Sequence, residues 1–316
     1  MIKRCVALAL SVLLLVGALC GCAGEKSEGT YLTFTDSTGE RVALDARPVR
    51  VAVLFSSFAE MWTLAGGEVS VSVGESVERG FCDSDTPLVD SGAGKTVNTE
   101  LLVAQKPDLV IGSADVEAQV RAAELMRELG IPCALFRVES FSDYLQVLKI
   151  MTDITGDRAA YQTHGLAVKA EIDALLAELP TDAEQEILFI RAGSSRSSTR
   201  AKGSEMHFAA AMLRELGCTN VADNAPVLLD GLSVEEILRA DPDAIFVSTM
   251  GDAERARASM ESILREETWQ SLSAVRAGRV YYLPKELFQF KPNARWGEAY
   301  RMLAEIVYGK ADETDE

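Results

Sequence analysis

Short apolar runs rich in β-branched residues recur along the chain, separated by stretches with the hydrophobic spacing of helices. Runs of this length are typical of buried strands, and their alternation with helices predicts βα units built around parallel sheets. The sequence therefore predicts an α/β fold. The predicted strands cover residues 49–55, 109–111, 133–136, 187–190, 244–247 and 280–283.

One long helix is predicted between the third and fourth of these strands. The region contains no convincing strand, and Gly156 and Asp157 mark a break followed by a helix start. From Asp157 to Glu178 only Gly165 interrupts the helical pattern, and a helix of that extent is about 33 Å long. Such a helix between two sets of strands predicts two lobes joined by a stiff connection.

These patterns give a division of the chain into domains. An N-terminal α/β lobe is predicted at residues 35–140, a linking helical segment at 141–180 and a C-terminal α/β lobe at 181–310. Residues 22–34, which are rich in Gly, Ser and charge, predict a flexible tether. Residues 311–316 predict a frayed acidic tail.

The N-terminus predicts a secretory signal. Two basic residues precede an apolar stretch over residues 6–20, which is shorter than a membrane span. The run ends in Leu19-Cys20-Gly21-Cys22, which resembles the bacterial lipobox. That resemblance implies that residues 1–21 are removed as a lipoprotein signal peptide and that Cys22 becomes lipidated. A plain signal peptide cut nearby is the alternative.

Composition excludes several classes of function. The 316 residues include 31 Lys and Arg against 48 Asp and Glu, a formal net charge of −17. This is the wrong sign for binding along a nucleic-acid backbone, so we expect no nucleic-acid partner. Two histidines in the whole chain leave little for a His-rich zinc site or a multi-His catalytic centre.

A repeated pattern relates the two halves of the chain. Glu100 precedes Pro107-Asp108 by seven residues, and Glu235 precedes Pro242-Asp243 by the same seven, with an offset of 135 residues. Each Pro-Asp opens a predicted strand, and each glutamate falls in the first turn of a short predicted helix. The pattern indicates comparable positions on two lobes. A local explanation stays open, because the helix macrodipole stabilises a glutamate near a helix N-terminus.

Several motifs together resemble the substrate-binding proteins of bacterial ABC importers that take up ferric siderophores, haem or cobalamin. The resemblance covers essentially the whole chain after the signal, and it is carried by the order and spacing of short motifs. These motifs are residues 35–42 (TDSTGERV), 97–100 (VNTE), 106–111 (KPDLVI), 220–223 (NVAD), 232–235 (LSVE) and 277–281 (AGRVY).

This resemblance implies two α/β lobes bridged by one long helix, with the ligand in the cleft between them. It implies a non-enzymatic receptor, lipid-anchored on the extracytoplasmic face of a bacterial cell membrane, whose partners are an ABC permease dimer and its ATPase subunits. Proteins of this family dock on the permease through one glutamate per lobe. Glu100 and Glu235 match those positions.

Candidate ligand-binding residues follow the predicted strands, where the cleft of a parallel-sheet lobe opens. Arg191, Arg196, Arg200 and Lys202 lie within twelve residues that contain no acidic residue. Arginine binds carboxylates and catecholate oxygens bidentately, so the cluster predicts a pocket for an anionic ligand. The alternative is a solvated basic loop, because serines separate the charges.

A second candidate wall follows the last predicted strand. Phe290, Lys291, Arg295 and Trp296 combine aromatic surface with two cations, which predicts stacking on a planar ligand and neutralisation of its charge. For Trp296 a place in the core is the alternative. The first-lobe candidates are Phe55, Ser56 and Lys95.

The favoured ligand is a ferric-siderophore complex, with iron held only inside the complex, no metal bound directly by the protein and no resident cofactor. Met250 follows a predicted strand, and a thioether suits haem iron as an axial ligand. His207 is the second potential axial group. Haem, and below it cobalamin, stay open as alternatives.

Enzyme motifs are incomplete in this chain. Residues 92–96 resemble the end of a phosphate-binding P-loop, but the first glycine of that motif would fall at Val89. The serines within residues 194–198 lack the G-x-S-x-G frame. A lipoprotein hydrolase is the remaining enzymatic alternative.

Overall fold

The computed structural model describes residues 29–90, 96–180 and 185–309. The predicted signal peptide, Cys22, Lys95 and the predicted acidic tail lie outside the described residues. Among the helices within these ranges, none is both long enough and apolar enough to cross a membrane.

The described residues form ten strands in three sheets. They are β1 (Leu32–Thr35), β2 (Arg41–Leu44), β3 (Val51–Val53), β4 (Leu109–Ser113), β5 (Cys133–Phe136), β6 (Gln185–Ala192), β7 (Arg200–Ala201), β8 (Cys218–Asn220), β9 (Ala244–Thr249) and β10 (Val280–Tyr282). The N-terminal lobe has a parallel sheet of order β3-β4-β5. In the C-terminal lobe β9 lies between β10 and β6, both parallel to it. The far edge of β6 pairs with β8 in parallel and with β7 antiparallel, while β1 and β2 form a separate antiparallel hairpin.

Helices flank both parallel sheets. The α-helices in the described ranges are α1 (Ser56–Leu64), α2 (Gly74–Glu78), α3 (Thr99–Ala104), α4 (Glu117–Glu128), α5 (Phe141–Thr155), α6 (Arg158–Tyr161), α7 (Ala167–Glu178), α8 (Phe208–Glu215), α9 (Val221–Asn224), α10 (Val227–Asp230), α11 (Val234–Ala240), α12 (Ala253–Leu264), α13 (Glu267–Gln270), α14 (Ser273–Arg276), α15 (Lys285–Phe288) and α16 (Trp296–Tyr308). A π-helical turn covers Gln162–Leu166, and 3₁₀ turns cover Arg196–Ser198 and Asn293–Arg295.

The α/β prediction is confirmed, and each of the six predicted apolar runs contains a strand of a parallel sheet. The sequence pattern missed β1, β2, β7 and β8. β1 and β2 bury only alternate residues, so neither forms a continuous apolar run. β7 and β8 are two and three residues long, too short for any periodicity. Because β1 starts at Leu32, residues 32–34 belong to the lobe and not to the predicted tether.

The long helix predicted from Asp157 to Glu178 is present. Helix α6, the π-helical turn and α7 run without a break from Arg158 to Glu178, a segment that we call the linking helix. The side chain of Asp157 caps it by accepting a 2.9 Å hydrogen bond from the amide of Ala160. Gly165 lies in the π-helical turn, where an added Cβ would come within 3.2 Å of the Leu145 and Tyr161 side chains. The absence of a side chain lets the linking helix pack closely on α5.

The repeated Pro-Asp pairs fix where neighbouring strands begin. The carboxylate of Asp108 accepts hydrogen bonds from the backbone amides of Val49 at 2.8 Å and Arg50 at 2.9 Å. The carboxylate of Asp243 accepts from the amide of Glu186 at 3.1 Å in the second lobe. The aspartate of each repeat therefore has the same structural role. It holds the first residues of two parallel strands together.

The two lobes share a hydrophobic core that is continuous between them. It includes Phe136 in the first parallel sheet and Phe189 in the second. Trp296 is fully buried within this core, with ring centroids of Phe208 and Phe141 at 5.6 Å and 5.9 Å. The structure thus favours the core alternative for Trp296, because its ring has no exposed surface on which a ligand could stack.

Asp36 attaches the β1–β2 hairpin to the first parallel sheet. Its side chain has no exposed surface and accepts from the amide of Leu135 at 2.9 Å and from Arg127 at 3.2 Å. The amide and hydroxyl of Thr38, at 2.8 Å and 2.6 Å, supply further hydrogen bonds. Each of these neighbours donates to the carboxylate, so the cost of burying Asp36 is offset only while all of these partners are in place.

We expect the substitution Asp36→Asn to destabilise the protein by about 3–5 kcal/mol, because it breaks a buried ion pair and points an amide donor at other donors. Urea unfolding of both proteins would measure the difference. Asp153→Asn is the matched control, since it removes an exposed pair with Lys149 within one helix. The control should cost no more than about 0.5 kcal/mol. Equal losses in the two variants would contradict the anchoring role of Asp36.

Candidate ligand cavity between the lobes

A cavity of about 360 Å³ lies where the two parallel sheets face each other. It is lined from the N-terminal lobe by Phe55, Phe58, Ser113, Asp115, Val116, Arg137, Val138 and Glu139, and from the C-terminal lobe by Arg191, Met206, His207, Phe208, Gln289 and Lys291. Most of these residues are at or just after the carboxyl ends of strands, where parallel sheets place their binding sites.

Arg191 differs from the other cations of the cavity lining in its lack of a salt-bridge partner among the described residues. It lies near the end of β6 and is half-buried. Burial lowers the pKa of its guanidinium, and the nearby charge of Glu139 opposes that shift. Within the described part of the chain Arg191 has no salt bridge, although a buried cation is costly without a partner. The arrangement favours an anion supplied from outside the chain.

Two more cations line the cavity, and each is paired with an acidic residue that also lines it. Arg137 Nε lies 2.6 Å from Asp115 Oδ1, both in the N-terminal lobe. Lys291 Nζ lies 3.1 Å from Glu139 Oε1, which joins the two lobes. The Lys291 ammonium also lies 4.6 Å from the ring centroid of Phe208, and burial lowers its pKa.

His207 faces the same cavity as a neutral hydrogen-bond donor. Its ring packs between Phe189 and Phe208, with centroid distances of 4.7 Å and 4.9 Å. Burial, with the charges of Lys291 and Arg191, holds its pKa well below 6.5. Its Nδ1 accepts a 3.2 Å hydrogen bond from the amide of Ala209, so the proton of the neutral ring is on Nε2. The ring can donate to an anion but offers no free Nε2 lone pair to a metal.

Of the ligand-binding residues predicted from sequence, Phe55, Arg191 and Lys291 line the cavity. Burial, with the nearby charges of Arg191 and Arg200, lowers the pKa of Lys202. Arg200 adds to the same electropositive surface, and its guanidinium donates to the carbonyl of Thr199. This part of the predicted basic cluster is therefore brought together, although neither Lys202 nor Arg200 lines the cavity.

The remaining predicted residues have other contacts. Ser56 is buried against Glu75 and Arg79, and Arg196 pairs with Glu266 on the surface of the C-terminal lobe. Phe290 lies under the guanidinium of Arg79 at 4.0 Å, and Arg295 pairs with Glu298 at 2.6 Å. Met250 donates its amide to Ala192 and does not line the cavity. The methionine in the cavity lining is thus Met206, which is exposed, and not the predicted haem ligand Met250.

Sequence reasoning missed the N-terminal half of the cavity beyond Phe55. Asp115, Arg137 and Glu139 follow β4 and β5, so the rule that sites form at strand ends points to them as directly as to Arg191. Gln289, which directly precedes the predicted Phe290, was also missed. Its amide is held by Thr249 at 2.9 Å and by the Gly251 carbonyl at 3.2 Å, contacts that no sequence pattern reveals.

Two other depressions are present, and each lies within a single lobe. One of about 530 Å³ surrounds Cys82 and Asp83, and another of about 410 Å³ lies beside Arg196 and Arg255. Neither is at the facing ends of the sheets. In the described ranges no group of three or more His, Cys, Asp or Glu side chains could hold a metal ion.

A cavity at the facing strand ends of two α/β lobes, bridged by one long helix, defines a two-lobed solute-binding protein. The chain belongs to the periplasmic binding protein family, whose model matches residues 51–287. No curated protein matches it significantly.

Solved structures with the same fold support this assignment. An ABC transporter substrate-binding protein from Listeria monocytogenes is 17% identical, with 82% of this chain and 98% of that chain covered at a TM-score of 0.67. Staphylococcus aureus SirA, solved with staphyloferrin B, is 18% identical with 88% and 97% covered at 0.64. S. aureus IsdE, solved with haem, is 15% identical with 82% and 98% covered at 0.66. At these identities the likeness is one of fold.

We expect His207 to make the protein less stable as the pH falls. The unfolded chain takes up a proton at this residue below about pH 6.5, whereas the folded protein does not, so the unfolded state binds more protons. The contribution of His207 to the free energy of unfolding should fall below that pH with a slope of at most about 1.4 kcal/mol per pH unit. Urea unfolding between about pH 5 and 7 should therefore show a smaller pH slope in His207→Gln than in the wild type. An unchanged slope in His207→Gln would contradict a neutral, buried ring.

Proposed function

We propose that the protein is the substrate-binding component of a bacterial ABC importer and that it captures an anionic ferric-siderophore complex between its lobes. The observation that carries the proposal is the half-buried Arg191, which faces the cavity without a salt bridge in the described chain. A carboxylate or catecholate oxygen would supply the missing charge, and a guanidinium can bind such groups bidentately. SirA was solved with staphyloferrin B and IsdE with haem, so iron complexes are the first class of ligand to test.

The other cavity groups suit the same ligand. His207 Nε2 and the ammonium of Lys291 are donors, and Phe55 and Phe58 offer apolar surface to the body of a chelate. The cavity is therefore positive inside a chain whose formal net charge is −17. An anionic ligand is repelled by most of the surface and attracted at one place, which favours selective capture.

Haem is the second candidate, because Met206 and His207 both line the cavity. It ranks lower because the Nδ1 hydrogen bond of His207 leaves Nε2 protonated. Cobalamin has no observation in its favour. For a hydrolase the site lacks an activated nucleophile, since among the described residues neither histidine side chain hydrogen-bonds a hydroxyl or thiol group.

We further propose that Cys22 carries a lipid anchor that holds the protein on the extracytoplasmic face of the cell membrane. The support is the lipobox-like sequence that ends at this cysteine. A multiply acylated cysteine binds a bilayer far more firmly than one acyl chain does. The receptor would then meet its permease by diffusion in the plane of the membrane.

Glu100 and Glu235 are the proposed docking residues. Each is exposed in the first turn of a short helix, α3 and α11, and in the described chain neither has a salt bridge. Asn98 caps α3 by accepting from the amide of Leu101 at 3.0 Å, so Glu100 does not supply the cap hydrogen bond of this helix. Two unpaired carboxylates on two lobes fit a permease dimer that offers a cationic group on each subunit.

We expect Arg191→Gln to weaken binding of an anionic ferric complex by about 30-fold or more, because the ligand loses a partly buried charged partner. Titration by isothermal calorimetry with the ferric complex of citrate, a ferric tricatecholate, ferrichrome and haem would measure this. Arg196→Gln is the matched control, since Arg196 belongs to the predicted basic cluster but pairs with Glu266 outside the cavity. Similar losses in both variants would contradict the assignment of the site, and no binding to any chelate by the wild type would overturn the proposed ligand class.

We expect the double charge reversal Glu100→Lys and Glu235→Lys to abolish uptake while ligand affinity stays unchanged. Transport of the labelled iron complex into cells and binding to the purified protein would be measured side by side. Glu117→Lys with Glu254→Lys is the control, because these glutamates are exposed in the first turns of α4 and α12. The docking role is wrong if the control pair blocks uptake equally or if the docking pair loses ligand affinity.

A further inference from the structure

The pair of Glu139 and Lys291 spans the cavity from one lobe to the other. Glu139 follows β5 in the N-terminal lobe, and Lys291 follows α15 in the C-terminal lobe. Among the salt bridges of the described residues, this is the one that joins the lobes across the cavity. Both residues line the cavity, so the bridge occupies space that a bound ligand would need. It also engages the positive charge of Lys291, which an anionic ligand would need.

The charge of Glu139 acts on all three cavity cations. It lies 3.1 Å from Lys291 and partly opposes the burial that lowers the pKa of Arg191. It also adds to the larger effect of Asp115, which raises the pKa of Arg137. Asp115, the other acidic residue of the lining, pairs with Arg137 inside its own lobe. Glu139 is therefore placed where the anionic group of a ligand would interact with both lobes at once.

The two partners of the bridge differ in their freedom to move. The Glu139 side chain is 48% exposed, whereas that of Lys291 is 18% exposed and lies against the ring of Phe208. No hydrogen bond to another described residue holds the Glu139 carboxylate. An arriving anion can therefore displace the glutamate into solvent while the lysine stays in place.

We propose that Glu139 is a specificity-determining residue that substitutes for the ligand's anionic group in the empty cavity. This rests on the proposed function, because it assumes that the cavity takes an iron chelate. A ligand binds only if its own negative charge replaces the carboxylate on Lys291, so a neutral chelate gains too little to break the bridge. Glu139 thus excludes ligands of low charge and lowers the affinity for the correct one.

The test compares Glu139→Gln with Asp115→Asn, each of which removes one negative charge from the cavity lining at constant size. Both would be titrated with the anionic ferric complex of citrate, an anionic ferric tricatecholate and the neutral ferrichrome. For an anionic complex that the wild type binds, we expect Glu139→Gln to raise the affinity about tenfold, since no bridge has to break. Asp115→Asn should raise it by much less, because its pair with Arg137 lies within one lobe.

The ferrichrome titration tests whether the Glu139–Lys291 bridge is what keeps a neutral complex from binding. Glu139→Gln should improve binding of the neutral complex as well, because that complex no longer has to break the bridge, and Asp115→Asn should leave it unchanged. Equal gains in the two variants would overturn the proposal in favour of a general field effect.

Two further outcomes are distinct from these. Weaker binding by Glu139→Gln would show that the carboxylate contacts the ligand or is needed for closure, and it would overturn the substitution role while leaving the receptor function intact. No binding of any chelate by the wild type or by either variant would overturn the proposed function, and the role of Glu139 with it.

Discussion

The structure depends most on a buried contact by which the C-terminal lobe holds the N-terminal lobe. Asn293 has no exposed surface, and its side-chain amide donates to the carbonyl of Ser57 at 3.0 Å and to Glu60 Oε2 at 2.8 Å. Its backbone is left-handed, with φ of 52°, a conformation that asparagine tolerates better than most residues. Leaving this amide unpaired in the interior would cost about 1–3 kcal/mol, so the two lobes cannot separate here freely. Arg79 reinforces the contact, because it pairs with Glu60 at 3.3 Å and lies on the ring of Phe290.

This contact determines where the cavity groups can be. Gln289 and Lys291 precede Asn293 by only a few residues, and Trp296 follows it into the shared core, so the segment is fixed at both ends. The linking helix packs on α5 through Gly165, which limits rotation about the connection. Large hinge closure is therefore disfavoured, and the adjustable parts of the site are its exposed side chains. Selection by a displaceable carboxylate therefore fits this structure better than selection by wide lobe movement.

The fold was more predictable from sequence than the site, and the segment after α15 shows why. Its composition of aromatic and cationic residues predicted a ligand wall, yet Lys291 faces the cavity, Arg295 faces solvent and Trp296 is in the core. Composition gives the residue types of such a loop but not the direction of each side chain. The positions of the parallel strands and of the linking helix, in contrast, follow from apolar runs and helical spacing over many residues. Among the site residues that were missed, Asp115, Arg137 and Glu139 needed only the strand-end rule applied equally to both lobes.

The repeat of Glu100 and Glu235 with their Pro-Asp pairs contains two kinds of carboxylate. Asp108 and Asp243 are engaged with backbone amides, and the fold alone explains why an acidic residue is present there. The glutamates have no such partner in the described chain, and helix capping does not account for both. Asn98 caps α3, while the side chain of Ser233 makes no cap hydrogen bond and Glu236 pairs with Arg239. Because each lobe carries one acidic residue that its own structure leaves unused at the same point of the repeat, a shared external partner is the simpler explanation, and it supports the proposed docking on a dimeric permease.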